Sequence, residues 1–219
     1  MTAALALDQL RVTLGDQPVV QLDVHVQPGE VLTLMGPSGS GKSTALAAMI
    51  GTLAPPFRQS GRIWLAGRDI TALPTHARRI GLMFQDDLLF PHLSVGGNLA
   101  FALPPSVRDR AHVVDLALKD AGLSGFAARD PATLSGGQRA RVALLRTVLA
   151  EPKALLLDEP FSRLDAGLRA QIRAFVFDQA RARGLPVVLV THDIEDARAA
   201  GGAVLTPMGQ TVGIGPAAV

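Results

Sequence analysis

The chain of 219 residues has no cysteine, which removes disulfide frameworks and thiolate chemistry and leaves catalysis to carboxylates, histidine, lysine or a metal. It also has no tyrosine, and its only lysines are Lys42, Lys119 and Lys153, so almost all positive charge is arginine. A net charge of +2, with acidic and basic residues interleaved, provides no basic stripe or tail of the kind that holds nucleic acid. No apolar run approaches the roughly 18 to 20 residues that a membrane-spanning helix needs. The opening Met1-Thr2-Ala3-Ala4-Leu5-Ala6-Leu7-Asp8 has neither the basic start nor the long apolar centre of a signal peptide, so a cytoplasmic, soluble or peripheral protein is expected. What is present is ample apolar material: hydrophobic residues make up 48% of the chain against 18% charged, enough for a sizeable core.

Apolar and alternating runs at residues 7–14 and 19–26 predict strands of an edge sheet, separated by the turn Gly15-Asp16. Val31-Leu32-Thr33-Leu34-Met35 predicts a buried strand running straight into Gly36, followed by the apolar helix of Ala45-Leu46-Ala47-Ala48-Met49-Ile50. Residues 62–66 and 80–84 read as two further strands. From Ser94 to about Gly122 the pattern is helical, and residues 139–150 place Val142, Leu145, Val148 and Leu149 on one helix face whose N-terminus lies at Ser135-Gly136-Gly137. Strand, helix and strand follow at 154–157, 168–183 and 186–190, with a terminal hairpin at 201–216. Short apolar strands alternating with helices predict a parallel sheet covered on both faces. No linker divides the chain, so residues 1–219 read as one α/β domain with a helical insertion at about 86–150.

Three motifs carry the chemistry. Gly36-Pro37-Ser38-Gly39-Ser40-Gly41-Lys42-Ser43-Thr44 lies between strand and helix, where small residues let backbone N–H groups converge on a polyphosphate at the positive end of the helix. In such a loop Lys42 reaches the outer phosphates, Ser43 offers a hydroxyl to Mg²⁺ and Thr44 adds a phosphate contact. Asp158-Glu159 ends a buried strand, where ligands gather in open α/β sheets, and two adjacent acids there repel each other without a cation. Leu134-Ser135-Gly136-Gly137-Gln138 offers a hydroxyl, backbone donors and a helix N-terminus to an anion, although the chain already has one phosphate cradle.

In this order the motifs resemble the ATP-binding cassette family, the motor subunits of membrane transporters, over roughly residues 5–216. The resemblance implies an α/β P-loop NTPase fold of ABC-ATPase type, with a mostly parallel core sheet, an antiparallel β subdomain and a helical subdomain. It implies ATP and Mg²⁺ as cofactors, Asp158 as a metal ligand usually acting through water, and Glu159 as the general base that polarises the attacking water. His192, one strand later, matches the switch histidine at the γ-phosphate. Gln85 matches the glutamine that joins the metal shell, in a loop that touches the membrane subunit. Ser135, Gly136, Gly137 and Gln138 would close over the ATP of a second copy in a head-to-tail dimer, and Asp165 matches the aspartate linking the two sites. Leu14 stands where the family usually stacks an aromatic ring on adenine, and Arg163 stands where a small residue is usual.

The apolar segment Leu88-Leu89-Phe90-Pro91-His92-Leu93-Ser94-Val95 is expected either to bury into the helical insertion or to form a docking patch for a membrane permease subunit. The segment from Gln85 to Leu103 looks like that of importers for small solutes such as thiamine, polyamines, iron or inorganic anions. The chain, expected to lack the extra C-terminal regulatory domain of some of those relatives, resembles the short thiamine-importer-like and uncharacterised importer ATPases. The implied setting is the cytoplasmic face of the inner membrane, with a solute-binding protein completing the system and no nucleic-acid partner. The alternatives are an exporter ATPase or a non-transport ATPase acting on nucleic acid or ribosomes. The span from Lys42 to Ser135 leaves no room for the long coiled coil of the chromosome and repair members.

Overall fold

The computed structural model describes residues 4–86, 88–164 and 166–214. In chain order its elements begin with β1 (Leu5–Leu14), β2 (Gln17–Val26), β3 (Val31–Met35), α1 (Lys42–Ile50), β4 (Phe57–Leu65), β5 (Arg68–Asp69), α2 (Thr75–Arg78) and β6 (Ile80–Met83). There follow α3 (Val95–Ala102), α4 (Arg110–Asp120), α5 (Gly136–Leu149), β7 (Ala154–Asp158), α6 (Ala166–Ala182), β8 (Val187–Thr191), α7 (Ile194–Ala200) and β9 (Val204–Leu205). The strands form two sheets, an antiparallel one ordered β2-β1-β4-β5 and a parallel one ordered β6-β7-β8-β3-β9.

The alternation of side chains along each parallel strand decides how these layers stack. Leu32, Leu34, Leu156, Val188 and Val190 face α1 and the inner side of the antiparallel sheet, where they meet Leu5, Leu7, Leu22 and Met49. Val31, Leu155, Leu157, Val187 and Leu189 point the other way, onto Ala140 and Leu144 of α5, Ile172 and Val176 of α6, and Ala200 of α7. The helix α1 is therefore sandwiched between sheets, and its N-terminus emerges at the C-terminal edge of β3.

A third apolar cluster joins Val95 and Leu99 of α3, Val114 and Leu118 of α4, and Val142 and Leu145 of α5. Because Ala140, Ala143 and Leu144 of α5 pack on the parallel sheet while Val142 and Leu145 pack on α3 and α4, one helix is shared by both bodies. The helical pattern expected from Ser94 to about Gly122 is made of two helices, α3 and α4. Leu103 leaves the helical region and is followed by Pro104-Pro105, which cannot continue a helix. The strand expected at 62–66 begins five residues earlier, and the terminal hairpin pairs through β9, whose Leu205 bridges Thr211. Residues 215 and 216 of that hairpin lie outside the described residues. Among the described residues no helix is long and apolar enough to cross a membrane.

Candidate functional site

The loop from Gly36 to Gly41 links the end of β3 to α1, and no side chain caps that helix at Gly41. Gly41 is left-handed, with φ 100°, and a Cβ there would lie 2.6 Å from the Val19 carbonyl oxygen, so only glycine lets the loop pass beneath β2. Lys42 is 7% exposed, and its Nζ donates to the carbonyls of Gly36 and Pro37, each at 2.8 Å. Both partners are neutral, which leaves a buried cation suited to an anion. Ser40 Oγ is buried and finds no hydrogen-bond partner among the described residues. At the opposite end of α1, the buried Arg78 donates to the carbonyls of Ala48 and Met49, at 2.8 and 2.7 Å. Its charge complements the negative end of the same helix dipole whose positive end faces the loop.

A cavity of about 580 Å³ opens above this loop, lined by Ser38, Gly39, Gly41, Lys42, Ser43, Thr44, Glu159 and His192. Glu159 follows the last residue of β7 in a left-handed conformation, φ 46°, which for a residue with a Cβ costs of order 1–3 kcal/mol. Its N–H donates to Val190 on β8 at 2.9 Å, and its Oε1 lies 3.2 Å from His192 Nδ1. Burial raises the Asp158 pKa above the usual carboxylate value, the neighbouring Glu159 charge raises it further, and Lys42 opposes both. A cation placed here would relieve both unfavourable influences.

His192 is 63% exposed, yet the turn that carries it is held firmly from below. Thr191 Oγ1 donates to Asp196 Oδ2 at 3.1 Å and accepts from the Asp193 N–H at 3.0 Å. Arg169 and Arg173 reach up from α6 to Asp193 and Asp196, at 2.5 and 2.9 Å. None of these five residues stood out in the sequence. The only local signal was Asp193, an N-cap followed by the acidic first turn Glu195-Asp196 of a helix, α7, that periodicity did not reveal.

The other expected site residues lie elsewhere. Gln85 is exposed and lines a neighbouring cavity of about 400 Å³ together with Gly136, Arg139 and Arg163. Arg163 forms an ion pair with Asp86 across that cavity. Ser135 caps α5 in a reciprocal box, its Oγ accepting from the Gln138 N–H and Gln138 Oε1 accepting from the Ser135 N–H. A Cβ on Gly137 would come within 2.5 Å of Leu168 on α6, whereas one on Gly136 would meet nothing closer than 3.9 Å. Gly137 thus has a packing reason inside the chain and Gly136 has none. Leu14 is 42% exposed at the tip of β1, across from Phe57 and Gln17. Asp165 lies outside the described residues.

A buried lysine in a glycine loop at the edge of a parallel sheet, facing an acid and a histidine, defines a P-loop nucleoside-triphosphate site. The comparisons make this specific. A family model described as ABC transporter matches residues 19–162. The chain is 56% identical over 183 residues to the uncharacterized ABC transporter ATP-binding protein YnjD of Escherichia coli (strain K12), covering 83% of this chain and 84% of that protein. It is 43% identical over 198 residues to the thiamine import ATP-binding protein ThiQ of Cereibacter sphaeroides, covering 89% and 84%. With the sulfate/thiosulfate import ATP-binding protein CysA of Gloeobacter violaceus it shares 42% identity over 89% of this chain but only 57% of CysA. Among solved structures it resembles CbiO1 of Clostridium perfringens, part of the ABC transporter complex CbiONQ, with a TM-score of 0.81, 28% identity and coverage of 95% and 86%. The chain therefore belongs to the ATP-binding proteins of ABC transporters, and is an ATP-binding ATPase of that family.

Proposed function

We propose that the chain is the ATP-hydrolysing motor of an importer for a small solute, working as a head-to-tail pair with Mg²⁺. The observation that carries this reading is the pairing of Glu159 with His192 over the lysine of the phosphate loop, achieved through a strained backbone at Glu159. In this reading Glu159 accepts the proton of the attacking water, His192 orients the γ-phosphate, and Lys42 with the loop's N–H groups holds the phosphate chain. The unpartnered Ser40 Oγ and the uncapped α1 fit such a polyphosphate. Among the described residues no three His, Asp or Glu side chains gather into a metal cage, so Mg²⁺ would rely on Ser43, Asp158 and phosphate oxygens, with Gln85 joining if its loop moves inward. When bound, the ion neutralises charge on the β and γ phosphates.

The signature residues Ser135, Gly136, Gly137 and Gln138 do not line the phosphate cavity of their own chain, and the open face at Gly136 supports their use by a second copy. Asp165 would then link the two sites. Leu88 and Phe101, 55% and 68% exposed, would offer an apolar surface to a membrane permease subunit, in keeping with a peripheral position on the cytoplasmic face of the inner membrane. The named importers among its relatives favour import, with a solute-binding protein as the third component. The separate apolar cluster of α3, α4 and α5 supports treating about 86–150 as a helical unit within one domain. The test is Glu159→Gln, which should retain ATP affinity while hydrolysis falls ~10²–10⁴-fold. Turnover near the parent rate would remove Glu159 from this role.

A further inference from the structure

Two side chains with no role in the nucleotide site bolt the exposed loop at 88–93 to the helix that begins at the signature. Asn98 on α3 is fully buried; its Oδ1 accepts from the Phe90 N–H at 2.8 Å, and its Nδ2 faces the carbonyls of Phe90, Leu93 and Ser94 at 3.1–3.2 Å. Arg146 on α5 donates to the Leu88 carbonyl at 3.0 Å and to Asn98 Oδ1 at 3.3 Å, and its guanidinium carbon lies 5.0 Å from the centre of the Phe90 ring. Phe90 in turn meets Phe101 edge to face at 5.0 Å. The loop backbone is thereby fixed while the Leu88 and Phe101 side chains stay exposed.

Arg146 lies eight residues after Gln138 on the same helix, about 12 Å along its axis. That helix packs on the sheet with one face and on α3 and α4 with another, so it physically joins the two bodies. A planar guanidinium can serve a carbonyl, an amide oxygen and a ring face together, which neither an aliphatic chain nor a lysine ammonium does. We propose that Arg146, with Asn98, is a positioning residue that transmits movement between the partner-facing loop at 88–93 and the signature end of α5. The idea rests on the reading that the loop meets a partner and that Ser135–Gln138 closes on a second copy's ATP.

Hydrogen exchange on the full chain tests it, in a Glu159→Gln background so that the probe, Mg-ATP, persists. ATP should slow exchange at 135–138 and also at 88–93. Arg146→Met should keep the first response, lose the second, and speed exchange of the Phe90 amide roughly 3- to 10-fold, as expected for losing one or two hydrogen bonds. Arg146→Lys, which keeps the charge without the fork, should restore part of the response at 88–93, and it carries the test if Arg146→Met does not fold. An undiminished response at 88–93 in both variants overturns the proposal. A response at 135–138 with none at 88–93 in the parent overturns the coupling alone. No response at 135–138 overturns the head-to-tail reading and the proposal with it.

Discussion

The two glycines of the signature separate a packing role from a binding role, and alanine at each should give opposite outcomes. At Gly137 the added methyl would sit 2.5–2.8 Å from three side-chain carbons of Leu168, which is itself packed against the core. Overpacking of this kind costs ~1–3 kcal/mol, offset in part by the better helix propensity of alanine, worth up to ~1 kcal/mol. With ~0–2 kcal/mol remaining after the full offset, at ~2–4 °C per kcal/mol for a chain of this size, Gly137→Ala should melt up to roughly 8 °C lower. At Gly136 the nearest atoms are 3.9 Å away, so Gly136→Ala should melt at or slightly above the parent temperature. In the proposed head-to-tail dimer, however, that methyl would occupy the face through which backbone N–H groups reach the partner's phosphate. Hydrogen bonds to charged groups contribute ~1.5–3 kcal/mol each, and a symmetric pair holds two such sites. The dimer Kd should therefore rise about 10²-fold or more. Thermal melts and sedimentation with Mg-ATP, both in the Glu159→Gln background, measure the two effects. Gly136→Ala associating like the parent, or melting below Gly137→Ala, would refute the reasoning.

The raised pKa of Asp158 means that its contribution favours the folded state at low pH and is lost as pH rises through the folded-state value. Asp158→Asn should accordingly raise Tm near pH 8, a gain that shrinks as pH falls toward the ordinary carboxylate range, while Mg²⁺ no longer strengthens ATP binding. Melts across pH and titrations with and without the metal check both halves, and an unchanged Mg²⁺ effect would contradict the assignment. Leu14 offers apolar contact without ring stacking, so ATP and GTP should bind with similar affinity, and Leu14→Tyr should tighten ATP about tenfold or more, the stacking being worth ~1–3 kcal/mol. Titration calorimetry showing a strong ATP preference that Leu14→Tyr leaves unchanged would place the base elsewhere.

What could be read from the sequence was what is local. The phosphate loop, the acidic pair and the signature each occupy fewer than ten consecutive residues, and their strand or helix context follows from neighbouring apolar runs. The break between α3 and α4 was also visible, in Pro104-Pro105, but the helical periodicity on either side masked it. The supports of the site were not legible because they join distant segments. Arg78 caps α1 from 29 and 30 residues away, Arg173 meets Asp196 across 23, and Arg146 reaches Asn98 and Leu88 across 48 and 58. An isolated arginine in an arginine-rich chain gives no sign of such a partner. Residues 88–95, expected either to bury or to dock, divide between burial and exposure, with Val95 in the core, Phe90 half-buried and Leu88 exposed, and only the exposed part is left for a partner.

The central claim, that one copy's signature closes over the other's phosphate loop, has a direct test because the chain contains no native cysteine. Ser38→Cys and Ser135→Cys, both at exposed positions, are made in separate Glu159→Gln chains, mixed, and oxidised with or without Mg-ATP. The account expects a disulfide-linked pair of chains that forms only with nucleotide and only in the mixture. No cross-link with ATP, or a disulfide within one chain when both cysteines are placed together in a dilute monomer, would contradict it.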